Sequence, residues 1–64
     1  MATYTIEKMD ATLQDKDQPR IVRRDGLKIG TIAKMQYGWH FILRDGLKQG
    51  EFDIRVPSEA LEHV

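Results

Sequence analysis

One heptapeptide occurs twice in this chain. Arg24-Asp25-Gly26-Leu27-Lys28-Ile29-Gly30 returns as Arg44-Asp45-Gly46-Leu47-Lys48-Gln49-Gly50, with six of seven positions identical. In each copy Asp-Gly follows a stretch of strand character, Ile21–Arg24 and Phe41–Arg44. Asp-Gly is among the strongest hairpin signals, because a type I′ turn needs positive φ at both central residues. Glycine adopts that conformation without a Cβ penalty, and aspartate tolerates it by bonding to nearby backbone. The duplication therefore constrains the chain to two related hairpins, and two copies are too few for a solenoid. The second turn is expected to be wider, with Gly46 and Gly50 bracketing a loop, since Leu47–Gly50 carries little strand signal before Glu51.

Alternation fills in the strands. Leu27, Ile29, Thr31, Ala33 and Met35 alternate with Lys28, Gly30, Ile32 and Lys34, which places Ile32 on the outward side. Gly30 inside that run points to a bulge or a close approach by a neighbour. After a turn at Gln36-Tyr37-Gly38, Trp39, Phe41 and Leu43 alternate with His40, Ile42 and Arg44, and then Phe52, Ile54 and Val56 with Glu51, Asp53 and Arg55. The expected strands are 20–24, 27–35, 39–44 and 51–56. Thr3–Glu7 is a candidate fifth, with Tyr4 and Ile6 facing in. Residues 10–19 are polar and read as a surface loop. Pro57 ends the last strand, and Ser58 is placed to cap a short helix running to Val64, with Ala60, Leu61 and Val64 on one face.

The expected fold is mainly β: one small domain over residues 1–64, a strongly curved antiparallel sheet or barrel-like meander of four to five strands, with a short C-terminal helix. The expected core is Ile6, Leu27, Ile29, Trp39, Phe41, Leu43, Phe52, Ile54, Val56 and Leu61. A chain of 64 residues and 7.4 kDa buries only about 60% of its extended surface, so this core is thin. With no cysteine, neither a disulfide framework nor a thiolate metal site reinforces it.

The net charge of zero conceals an uneven layout. Residues 1–18 carry −2, residues 19–48 carry +5 and residues 49–64 carry −3. Internal pairing of the basic middle with the acidic ends is the expected outcome, and a two-signed surface is the alternative. No apolar run is long enough to span a membrane and no signal segment opens the chain, so the expected setting is cytoplasmic or host intracellular, without a membrane.

Chemistry finds few footholds. Only His40 and His63 could join a metal site, and they lack ligand spacing; Ser58 is the one serine and is better explained as a cap. Glu51 and Asp53 lie two apart on an outward face, where a solvated or ion-paired state is the ordinary outcome. No phosphate-cradling glycine loop precedes a helix. The expectation is a chain without catalytic residues, metal or cofactor. The leading reading is a protein-interaction module, acting as adaptor, accessory subunit or inhibitor, of the size common among phage and mobile-element accessory proteins. It would bind another protein or a second copy of itself through Ile32, Tyr37, His40, Ile42 and Arg44, the two isoleucines forming an outward apolar patch. The alternative is nucleic-acid binding through the basic 20–48 segment, using Arg23, Arg24, Lys34, Tyr37 and His40.

Overall fold

The computed structural model describes residues 1–64. The chain forms β1 (Tyr4–Lys8), β2 (Arg20–Arg24), β3 (Leu27–Met35), β4 (Gly38–Asp45) and β5 (Lys48–Ile54), then a 3-10 helix over Pro57–Glu62. The strands make one antiparallel sheet in the order β1-β2-β3-β4-β5, each beside its sequence neighbour. The expected meander is present, including the fifth strand at the N-terminus.

The expected curl is not. The sheet stays open: β1 and β5 occupy opposite edges and do not pair, so there is neither a barrel nor a strongly curved meander. The Cα envelope measures 30 × 25 × 16 Å, a slab rather than a tube. The apolar face is covered instead by the C-terminal 3-10 helix, which touches both β5 and β1 and buries Ala60 completely. Once a chain end spans from one edge strand to the other, the sheet has no need to close on itself to shield its core.

The second turn also differs from expectation. Asp45 pairs with Lys48, so the loop is Gly46-Leu47 alone and β5 begins three residues early. Strand character supplied by Phe52 and Ile54 extends back through polar residues because the ladder with β4 is already in register. In the first hairpin Arg24 pairs with Leu27 around Asp25-Gly26. There Asp25 has φ 51° and Gly26 φ 86°, the sign pattern of a type I′ turn.

A bulge decides which residues are inside. Val22 pairs with Gly30 but Arg23 pairs with Lys28, leaving Ile29 as an extra residue in β3. The strand changes parity there, so Ile29 and Ile32 both enter the core, 1% and 0% exposed. This corrects the outward placement of Ile32. The core is Val22, Ile29, Ile32, Trp39, Phe41, Leu43, Ile54 and Ala60, with Ile6, Phe52 and Val64 packed against it. Leu27, Val56 and Leu61 are exposed, contrary to expectation. Leu27 lies beyond the last β3–β4 pair, Gly30–Leu43, and Val56 lies past the end of β5. Leu61 follows from helix type: at three residues per turn Ala60 lines up with Pro57 and His63, and Leu61 rotates off that face. His63 instead stacks on Phe52, ring centroids 4.1 Å apart.

Ser58 is not the cap. Val56 holds that position in extended conformation and Pro57 is the first helical residue, which places Ser58 inside the helix. The backbone N–H of Arg55 donates to the Glu59 carboxylate, 3.2 Å, tying the helix start to the strand end. Between β1 and β2 the polar segment is a loop, closed at its neck by Met9 N–H donating to Pro19 O at 3.0 Å. Gln18, buried there, accepts from Asp10 N–H at 2.7 Å and donates to Leu13 O at 3.2 Å. At the loop's start Thr12 donates from its hydroxyl and its backbone to Asp10, which holds that carboxyl below its usual range.

Candidate functional site

The 3-10 helix covers one face of the sheet; the opposite face is organised by register into three rows that cross the strands. Thr5, Arg23 and Lys28 begin the first row, which Arg44 and Gln49 continue beyond the recess that Lys28 and Arg44 both line; Glu7, Ile21, Thr31, Ile42 and Glu51 form the second row, and Ala33, His40 and Asp53 the third. Neighbouring strands lie about 5 Å apart and rows two residues apart along a strand about 7 Å. The result is a basic row, a middle row with apolar centre and acidic ends, and a row of mixed histidine and carboxylate.

His40 and Asp53 of the third row join Glu51 of the second and Tyr37 of the β3–β4 turn in one polar network. His40 Nδ1 lies 3.1 Å from Asp53 Oδ1 and its Nε2 lies 2.9 Å from Glu51 Oε1. Both ring nitrogens can donate only in the imidazolium form. The bond to Glu51 and then that to Asp53 hold His40 protonated above its ordinary range, while Asp53 is held below its own by His40 and by the Tyr37 hydroxyl, which donates at 3.0 Å. The same bond raises Tyr37. The carboxylates take opposite edges of the ring, so the three side chains do not converge where a metal could sit.

The basic row is only partly neutralised. Arg23 pairs with Glu7 at 2.8 Å and also donates to Gly26 O. Arg44 donates to its neighbouring carbonyl, Leu43 O, and has no carboxylate partner; Lys28 has no hydrogen bond or ion pair at all. These two free cations flank the one recess in the protein, about 330 Å³, lined by Lys28, Ile29, Gly30, Thr31, Ile42 and Arg44. Its origin is the bulge: β3 and β4 pair from Met35–Gly38 to Gly30–Leu43 and no further, so Lys28 and Arg44 face each other across a gap rather than across a ladder.

Of the residues expected to bind a protein partner, Tyr37, His40, Ile42 and Arg44 are gathered on or beside this face, whereas Ile32 is in the core. The alternative nucleic-acid set is divided. Arg23 and His40 share the open face, but Arg24 and Lys34 lie on the covered face, where Arg24 pairs with Asp45 and Lys34 lies 5.4 Å from the Trp39 ring. Arg20 approaches the same ring at 5.2 Å, so the indole is fenced by cations and only 6% exposed. Lys28 and Thr31 are not among the expected site residues, although Gly30 was the signal: the bulge beside it brings Thr31, counted inward, onto the open face with Lys28. No family model, curated protein or solved structure matches this chain.

Proposed function

We propose that this protein works by binding rather than turnover, as a protein-interaction module whose contact surface is the open face of the sheet. The observation that carries the reading is the middle row, in which Ile21, Thr31 and Ile42 form a half-buried strip bordered by unpaired cations on one side and the His40 network on the other. A flat, rigid, sheet-borne surface with an apolar centre and charged rim has the composition of a protein contact. Its dimensions, within the 30 × 25 Å span of the slab, suit an interface of roughly 800 Å² per partner. Splitting of Arg23 and His40 from Arg24 and Lys34 disfavours a continuous phosphate-tracking stripe.

The test uses a photo-crosslinking residue at Thr31, with Leu13 in the polar loop as the control position. The expected result is one dominant protein adduct, another chain or a second copy, formed from Thr31 and not from Leu13. The purified partner then binds in solution, and Ile42→Asp abolishes both signals while leaving the melting curve intact. Equal labelling from both positions, or an Ile42→Asp chain that binds the partner unchanged, overturns the reading.

A further inference from the structure

We propose that the gap between β3 and β4 is a carboxylate-binding groove, which receives an acidic side chain from an extended segment of the partner protein. This rests on the reading of the open face as a protein contact and names the chemistry recognised there. The groove is built by the sheet rather than by flexible loops: the bulge at Ile29 opens it, Gly30 floors it without a side chain, and Ile42 and Thr31 wall it. The glycine is required from the other side of the sheet, because a Cβ on Gly30 would point onto the core face and lie 2.5 Å from Ile42 O and 2.8 Å from the Phe41 ring. Arg44 offers a planar fork suited to a carboxylate, Lys28 a second charge and Thr31 a hydroxyl.

Seven of the ten lysine and arginine side chains have no ion-pair partner, and Lys28 and Arg44 are the two of them that line the recess. Arg23, Arg24 and Arg55 each face a carboxylate within the chain, and His40 faces two, whereas Lys28 and Arg44 stand on either side of the recess with none. Two like charges held across a gap are relieved by an anion between them, and part of the cost of desolvating it is offset by the apolar wall of Ile42.

The surroundings select a protein carboxylate over a polyanion. Beyond the groove the open face turns apolar and then acidic: Glu7 and Glu51 end the middle row and Asp53 follows. A nucleic-acid strand leaving the groove along β4 would meet those carboxylates. An extended peptide instead matches the rows, because alternate side chains on one edge recur at the same roughly 7 Å spacing. Its signature is an acid over Lys28 and Arg44, an aliphatic residue two positions away on Ile42, and a base two further on beside Glu51 and Asp53.

The experiment is an amide NMR titration of the full chain with the peptide acetyl-Glu-Ser-Leu-Ser-Lys-amide. Its Gln-for-Glu counterpart, inorganic phosphate and a short oligothymidylate are titrated in parallel at low salt. The expected result is saturable shifts at Lys28, Thr31, Ile42 and Arg44, with the Gln peptide weaker by about tenfold, as befits loss of a charge-assisted contact. The Lys28→Gln/Arg44→Gln double variant should lose the preference for Glu over Gln, and raised salt should shrink it. Equal response to the two peptides, shifts centred elsewhere, or a double variant that still prefers Glu overturns the groove. Tighter binding of phosphate or oligothymidylate at the same residues overturns the protein-carboxylate assignment. Failure of the groove alone leaves Ile42-dependent crosslinking from Thr31 in place; failure of the contact-face reading removes that crosslinking too.

Discussion

The two copies of the heptapeptide fold differently although six of their seven residues are the same. In the first, Asp25-Gly26 is the loop and Asp25 is the only non-glycine residue with positive φ. In the second, Asp45 belongs to the ladder, Gly46-Leu47 is the loop, and Gly46 alone has positive φ, the sign pattern of a type II′ turn. The turn has slid by one residue. Neighbours account for the slide. Asp25 is held at the turn by β1, through its N–H to Thr3 O at 2.8 Å and its carboxylate from Thr3 N–H at 2.9 Å. Asp45 has no such strand above it and points onto the core face, where Arg24 pairs with it. The two copies then reach the same end by different means. Gly30 arrives opposite Val22 through a bulge, Gly50 arrives opposite Leu43 through the shifted turn, and Leu43 lies between the two glycines. A one-residue slip in a hairpin reverses every side chain after it, and a bulge is the other way of making the same reversal.

The glycines give the largest contrast. Gly30→Ala should cost about 3 kcal/mol or prevent folding, because the added Cβ meets the backbone carbonyl of Ile42 and a fully buried ring. Gly50→Ala should cost about 1 kcal/mol, because its Cβ would meet only the Phe52 ring at 2.9 Å, and that side chain can turn aside. Urea denaturation of both variants reads the difference. Equal costs would mean that the bulge is no tighter than the regular ladder.

The turns come next. Asp25→Val should destabilise by about 2 kcal/mol, since a β-branched residue is forced to positive φ and the bonds to Thr3 vanish. Asp45→Val occupies an extended ladder position and should cost about 1 kcal/mol, the loss of a partly exposed ion pair with Arg24. Thermal melts of the two variants, with Arg24→Gln in a double-mutant cycle, separate turn strain from pairing. Leu47→Asn provides a finer test: it offers a second residue tolerant of positive φ and should leave stability within about 0.5 kcal/mol, because the loop position is exposed.

The smallest effect concerns the strands that follow the two turns, one bearing the unpaired Lys28 and the other the acids that clamp His40. His40 is raised in the folded chain, so its contribution is complete below the unfolded value near 6.5 and fades as pH rises through the higher folded value. Asp53 is lowered, so its contribution is complete above about 3.8 and fades as pH falls through the lower folded value. The clamp is therefore strongest between those limits. NMR titration of the His40 ring should give a midpoint above 6.5 that falls in Asp53→Asn and falls further with Glu51→Gln. A midpoint unmoved by both changes would remove the clamp.

The strands were legible because their signal is local. Alternation located β2 and β3 to the residue and β4 to within one at each end, and Gly30 marked the bulge that opens the groove. Polar Lys48–Glu51 hid the start of β5, since nothing in those residues favours a strand until β4 supplies the ladder. Face counting places Tyr37, His40, Ile42 and Arg44 correctly, while the same counting carried through a bulge puts Ile32 outward and Thr31 inward, the reverse of the structure. Of the pairing expected between the basic middle and the acidic ends, Arg23 meets Glu7 and His40 meets Glu51 and Asp53, whereas Arg24 pairs within the middle, with Asp45, and Arg20, Lys28, Lys34, Arg44 and Lys48 have no carboxylate partner. Which cation meets which acid depends on strand register, not on composition.

By itself the sequence determined an antiparallel meander with a hairpin turn in each copy of the heptapeptide, a Trp39–Phe41–Leu43 core strand and a loop between β1 and β2, all written in neighbouring residues. Tertiary structure alone decided that the sheet stays open, that two heptapeptides alike at six of seven positions turn at different residues, and that an unpaired basic groove faces solvent. Each of those outcomes is a competition between long-range contacts: the C-terminal helix against strand closure for the same apolar face, and β1 against Arg24 for the placement of an aspartate.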